Sequence, residues 1–443
     1  MTHDLDLPKQ SPPISLEREL QLVLLLMTYL ASGLLFLVLP GTFLGVWNLF
    51  AISEAHSATS VSASWIQAHG HAQIFGWIGT FILGIGFYSI PNLRRVSAWS
   101  WWDGWLIWSL WTVGAALRWL TNVYGWNWQV MLPLSAALEL AAVVIFLVRS
   151  TQGHRMQRRQ KDSIEAWAIL VIGGTIGLLS TMAMNLYECI SLSQIGASSA
   201  FPASFNSSFL VLSIWSFPVL IAWGFTAHWM PVFMGLRPLR SKLMLAGFVT
   251  NIIGVCAAIV QAFQVSAIVL FVSAVLIITA LRMFEPSEKP PKTQGVHRSF
   301  PVFMRAAYAW LLAASALAIW AAFEPAAAGI GGAGRHAITV GYLMTMVFSV
   351  APRMMPAFLG RKKLFSESLM FIALVFVNVG CFLRVSSEIL AYQQIAQWAW
   401  IVLPVSATLE LTGVVIFSIN MIGTFRQPPL LGPQSRCAPA TQS

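Results

Sequence analysis

Charge is what this chain has least of. Only 9% of its 443 residues are Asp, Glu, Lys or Arg, against about 25% in an average soluble domain, which excludes an ordinary soluble fold. Cysteine is nearly as scarce. Cys189, Cys256, Cys381 and Cys437 form no C-x-x-C and no C-x-x-C-H, which excludes covalent c-type haem attachment, a zinc finger and a disulfide framework. The apolar runs are continuous rather than alternating with period two, which excludes a β-barrel. No cleavable leader is expected either. The first 18 residues are polar and carry both signs of charge, and the apolar run after them is too long for a signal peptide.

What is present is hydrophobic length. Residues of apolar type make up 57% of the chain, in runs long enough to cross a bilayer. The sequence predicts an all-α, polytopic membrane protein of about 12 spans, at 20–47, 65–91, 99–120, 127–149, 164–190, 207–233, 241–262, 264–283, 301–323, 335–358, 366–390 and 396–421. It reads as one integral membrane domain over 1–443, with tails at 1–18 and 424–443. The net charge of +10 sits in alternate loops: Arg94 and Arg95; Arg149, Arg155, Arg158, Arg159 and Lys161; Arg237, Arg240 and Lys242; Arg282, Lys289, Lys292 and Arg298; Arg361, Lys362 and Lys363. By the positive-inside rule those loops and both tails are cytoplasmic. The basic balance is therefore a topology signal. The expected partner is the lipid bilayer, and no nucleic acid. Tryptophans crowd span three (Trp99, Trp101, Trp102, Trp105, Trp108, Trp111), where interface anchoring and packing explain them better than a cofactor wall.

The chain repeats itself. Residues 132–146, LPLSAALELAAVVIF, and 403–417, LPVSATLELTGVVIF, agree at eleven of fifteen positions. HGHAQIFG at 69–76 aligns with the stretch RHAITVG at 335–341, so that His71 meets His336, Gly76 meets Gly341 and Thr80 meets Thr345. Arg118 in AALRW likewise meets Arg384 in CFLRV. Three successive spans thus carry His, Arg and Glu twice: His71, Arg118 and Glu139, then His336, Arg384 and Glu410. A weaker echo, MPVFMG at 230–235 and MPAFLG at 355–360, predicts three parallel four-helix repeats, at about 19–150, 163–285 and 300–423. Spans two, six and ten are equivalent in that scheme.

Ionisable groups inside a membrane are costly and mark function. His71 lies roughly 9 Å below the outer edge of span two by helical rise, and His336 starts span ten at a similar level. Two such imidazoles can ligate a low-spin haem iron from both sides. Arg118 and Arg384, at the same level, suit its propionates through forked donors. The alternative is a structural pairing of these arginines with Glu139 and Glu410, which helical rise places roughly 10 Å deeper. The glutamates themselves are candidates for proton relay, cation binding or a protonated interhelical bond. Gly76, Gly79, Gly84 and Gly86 give span two a thin face, for a close helix or a flat macrocycle. His69 points nearly opposite to His71 and is a candidate ligand of a second metal or haem. His228, roughly 28 Å along span six, is a copper candidate with Met230 or Met234, or an interface histidine. Arg353 is expected to snorkel at the inner end of span ten. His56 is a candidate for an outer metal site, while His3, His154 and His297 are expected in solvent.

The segments HGHAQIFG (69–76) and HAITVGYLMTMVFSVAPR (336–353) resemble the two signature segments of the NnrS family. Ala72 stands where that family often has an acidic residue. The resemblance implies a bacterial inner-membrane protein containing haem, most simply of b type, with copper as a second metal. It implies a role in the response to nitric oxide or nitrosative stress. The plan is also similar to subunit I of haem–copper oxidases, whose spans two and ten carry the low-spin haem. The oxidase binuclear centre has no counterpart: span seven lacks a His-His pair, position 232 is valine, and span ten has one histidine. Two further readings fit the same residues, a twelve-span secondary transporter and a haem–copper redox enzyme.

Overall fold

The computed structural model describes residues 16–94, 100–152, 165–324 and 328–429. Arg95, Arg155, Arg158, Arg159, Lys161, His3, His154, Cys437 and most of both tails lie outside the described residues. Within them the protein is a bundle of twelve long helices with no strand. They are α1 (Glu19–Ala55), α2 (Ala63–Ile90), α3 (Trp101–Tyr124), α4 (Trp128–Gln152), α5 (Ala166–Ile195), α6 (Ala203–Met234), α7 (Ser241–Ile259), α8 (Phe263–Leu281), α9 (Phe300–Phe323), α10 (Ile330–Phe358), α11 (Glu367–Tyr392) and α12 (Ala399–Phe425). Eleven are long and apolar enough to span a membrane. The twelfth, α3, is the tryptophan-rich one and matches them in length.

Each helix packs on its neighbour in sequence, and α12 returns to α1, so the bundle closes. The most apolar stretches of α2, α6 and α10 are 72%, 78% and 72% buried, against 28–50% for the other spanning helices. Every fourth helix is therefore an inner one. Outward-facing side chains such as Leu35, Phe43, Trp47 and Ile195 are more than half exposed. A bilayer supplies their apolar surroundings, and the backbone polar groups are satisfied within each helix.

The inner helices are irregular where it matters. In α2, the eight residues Ala72–Gly79 directly after His71 form a π-helix. In α10, the eight residues Ala337–Met344 directly after His336 do the same. Each widened turn closes at a threonine whose amide reaches five residues back, Thr80 to Phe75 and Thr345 to Val340. Such turns carry an extra residue and mark functional positions in helices. Two tryptophans of α3 brace these turns. Trp111 Nε1 donates to the Phe75 carbonyl (3.2 Å) and to Thr80 (3.1 Å). Trp119 Nε1 donates to the carbonyl of Pro40 (3.1 Å), in a third π turn, Leu37–Phe43 of α1. The thin face of α2 takes neighbouring helices, with Phe36, Trp111, Tyr29 and Phe146 lying over Gly76, Gly79, Gly84 and Gly86.

The sequence predicts a continuous span six, but the helix breaks at Ser216–Phe217. Pro218 supplies no amide and bars the helical conformation at Phe217. The freed Ser216 carbonyl presses on α5 where Gly177 leaves room, so that any Cβ at 177 would collide with backbone. Gly177→Ala should therefore lower stability by about 1–3 kcal/mol through overpacking. Gly70→Ala, where nothing lies within 4 Å of an added Cβ, should leave it unchanged. Thermal unfolding of the two variants in detergent checks the contrast.

Candidate functional site: two buried histidine–glutamate pairs

His71 ends the first α-helical part of α2, at the start of the π turn. Its Nε2 lies 2.6 Å from Glu139 Oε1 of α4, and the second carboxylate oxygen accepts from Asn185 Nδ2 of α5 at 3.2 Å. The side chains of His71 and Glu139 are 5% and 0% exposed. The second copy repeats this geometry. His336 Nε2 lies 2.9 and 3.1 Å from the two oxygens of Glu410 of α12. That pair is more open, with His336 20% exposed.

The alternative pairing of the arginines with these glutamates does not form. The carboxylates belong to the histidines, not some 10 Å below them. Counted from the observed helix starts, Ala63 and Trp128, His71 and Glu139 stand only roughly 4–5 Å apart along the helices. Two side chains readily bridge that offset. Glycine fixes the carboxylate from behind. A Cβ on Gly114 would lie 2.8 Å from Cγ of Glu139 and 3.0 Å from the Ser135 carbonyl. On Gly380 it would lie 2.7 Å from Cγ of Glu410 and 3.0 Å from the Ser406 carbonyl.

The two arginines take different partners. Arg118 is 2% exposed, donates Nη1 to Cys189 Sγ at 2.8 Å and lies 4.4 Å over the Phe201 ring. Its Nε has no partner. Arg384 pairs with Glu388 one turn along α11 at 3.0 Å, and its Nε is also unpartnered. His69 turns away from His71, as its spacing predicts. Its Nδ1 meets the Gly41 carbonyl of the α1 π turn at 2.9 Å, and it lies within electrostatic reach of His336, Glu410 and Arg384.

These residues surround one cavity of about 310 Å³, lined by both copies of the motif: His69, His71 and Arg118 from one, Arg335, His336, Arg384, Glu388 and Glu410 from the other. Phe75, Trp77, Phe209 and Val340 supply apolar walls. Other sequence candidates lie elsewhere. His228 packs against Trp167 (4.3 Å) and Trp229 (4.6 Å), outside the cavity. His56 caps α1 with φ 52° and stacks on Trp400 at 5.0 Å. His297 is half-buried against Phe371 (4.5 Å) and bonded to Ser299, not free in solvent. Arg353, at the end of α10, lies over Phe233 and bonds the Gln294 carbonyl. Among the described residues no three His, Cys, Asp or Glu side chains converge as a metal cluster.

Several members of the site escape a reading of the sequence alone. Gly114 and Gly380 are legible, since VGAALRW and VGCFLRV carry the glycine four residues before each arginine. Glu388 occurs in one copy only, and Asn185 and Cys189 lie on α5 outside both copies, so the repeat carries no signal for them.

Twelve long helices, with inner α2 and α10 each bearing a carboxylate-paired histidine, define a polytopic membrane protein whose fold resembles that of haem–copper oxidases. A haem–copper terminal oxidase dimer solved by cryo-electron microscopy superposes with a TM-score of 0.73 at 13% identity, over 92% of this chain and 85% of that one. The model of the NnrS protein family matches residues 24–428, and the chain belongs to the NnrS family. No curated protein matches it.

The pairs differ in burial, and their loss should differ too. Glu139→Ala strands a ring N–H and an asparagine amide in a sealed site, and should cost about 1–3 kcal/mol. Glu410→Ala, beside the more open His336, should cost less. Chemical denaturation of both variants measures the difference.

Proposed function

We propose that this protein binds haem at His71 and His336 and acts in the response to nitric oxide or nitrosative stress, in a bacterial inner membrane with both termini cytoplasmic. One observation carries the reading: two inner helices each present a histidine with a carboxylate on one ring nitrogen. A metal-bound imidazole commonly donates its other N–H to a carboxylate, which fixes its orientation and raises its basicity. With Nε2 on the carboxylate, each histidine would offer Nδ1 to the iron. The cavity has apolar walls, and the unpartnered Nε atoms of Arg118 and Arg384 await acceptors such as propionates. Haem b would supply an iron able to pass electrons; held by both histidines, it would take nitric oxide only by giving up one of them. Glu139 and Glu410 would hold the imidazoles, and the arginines would neutralise the propionates. His69, facing the second pair, is the better candidate for copper; His228 is left with its tryptophans. The NnrS membership and the oxidase-like fold both support haem over the transporter reading. The matched glycines, π turns and His–Glu pairs support duplication of the first and last four-helix units.

The test is an optical spectrum of the purified protein, oxidised and dithionite-reduced, beside His71→Ala and His336→Ala. Sharp low-spin bands in the native protein, lost in each variant, are expected; a nitric oxide titration then reads whether that ligand displaces a histidine. A haem-free native protein made under ample haem supply would overturn the reading.

A further inference from the structure

Beyond the cavity, on the stretches of α6, α9 and α10 that lead away from it, a second polar group of residues is buried. Trp223 and Thr226 of α6, Tyr308 of α9, and Tyr342 and Ser349 of α10 are each at most 1% exposed. The Tyr308 and Tyr342 rings meet edge-on with centroids 5.3 Å apart. The Tyr308 hydroxyl approaches Thr226 and Tyr342, and the Tyr342 hydroxyl approaches Trp223. Yet five polar atoms here, Trp223 Nε1, Thr226 Oγ1, both tyrosine hydroxyls and Ser349 Oγ, have no partner in hydrogen-bond geometry.

A buried hydroxyl or indole N–H without a partner costs free energy that proteins seldom tolerate, and several in one place share one simple remedy. A water molecule needs two to four polar neighbours, and this group supplies them from three helices. The π turn of α10 places Tyr342 between Val340 and Met344, both of which line the cavity. Trp77, another cavity-lining residue with an unpartnered Nε1, packs edge-on against Phe348, the neighbour of Ser349. The break in α6 at Ser216–Phe217 lies between its cavity-lining residues Ser213 and Ile214 and the deeper Trp223 and Thr226.

We propose that these residues bind a file of internal water molecules that continues the histidine cavity along α10. The ligand is water, held by the two tyrosines, Thr226, Trp223 and Ser349. The site stands on its own polar groups and does not depend on haem in the cavity.

X-ray radiolytic footprinting of the purified full-length protein tests it. Hydroxyl radicals formed from a bound internal water label the side chains around it, even where bulk solvent is excluded. Tyr29 is the internal control: it is equally buried, but its hydroxyl is bonded to the Gly104 carbonyl at 2.9 Å. The expected result is labelling of Tyr308 and Tyr342 several-fold above Tyr29, with incorporation of ¹⁸O when the solvent is H₂¹⁸O. Labelling no greater than at Tyr29 would overturn the proposal. Tyr308→Phe and Tyr342→Phe give a second reading by thermal unfolding. Loss of a hydroxyl that binds water should lower the midpoint, whereas loss of a dry, unpartnered hydroxyl should raise it or leave it unchanged.

Discussion

An imidazole and a carboxylate buried together in a membrane constrain everything around them. Neither tolerates low dielectric alone, so each must be brought within bonding distance of the other and shielded from lipid. In this protein the constraint is met twice. It explains why α2 and α10 are inner helices, why α4 and α12 lie against α3 and α11 through a glycine, and why the charged residues of the spans gather at one cavity. The lipid-facing helices are free to be simply apolar. The inner ones give up regular geometry to place a few side chains.

The two copies have not stayed alike. His71 and Glu139 are sealed by Asn185 and by the Arg118–Cys189 contact. His336 and Glu410 open toward Arg335, Arg384, Glu388 and His69. Duplication has left one pair more deeply buried than its twin.

Much of this is legible in the sequence, and the failures have physical causes. Hydropathy yields twelve spans because the membrane allows little besides continuous apolar helices. The repeat picks out His71, Arg118, Glu139 and their twins because charged residues in a span are few enough to be noticed. Their pairing is misjudged because depth is counted from approximate helix ends, and a few residues at 1.5 Å each move a side chain to another layer. The break in α6 is announced by Pro218, but proline in membrane helices is often tolerated. The π turns leave no readable mark, since an extra residue in an apolar helix changes neither composition nor length appreciably. Asn185 and Cys189 of α5 are invisible because only folding brings that helix to the first pair.

Those turns make chain length itself a functional quantity. From His71 to Thr80, and again from His336 to Thr345, the backbone gathers the same number of residues into one loosened coil. Were that coil to relax to ordinary pitch at the same length, the histidine would swing about 100° around the helix axis relative to the rest of the span. The imidazole would then leave its carboxylate even with every residue type unchanged. The widened turn takes up the surplus residue and keeps the two halves of the span in mesh.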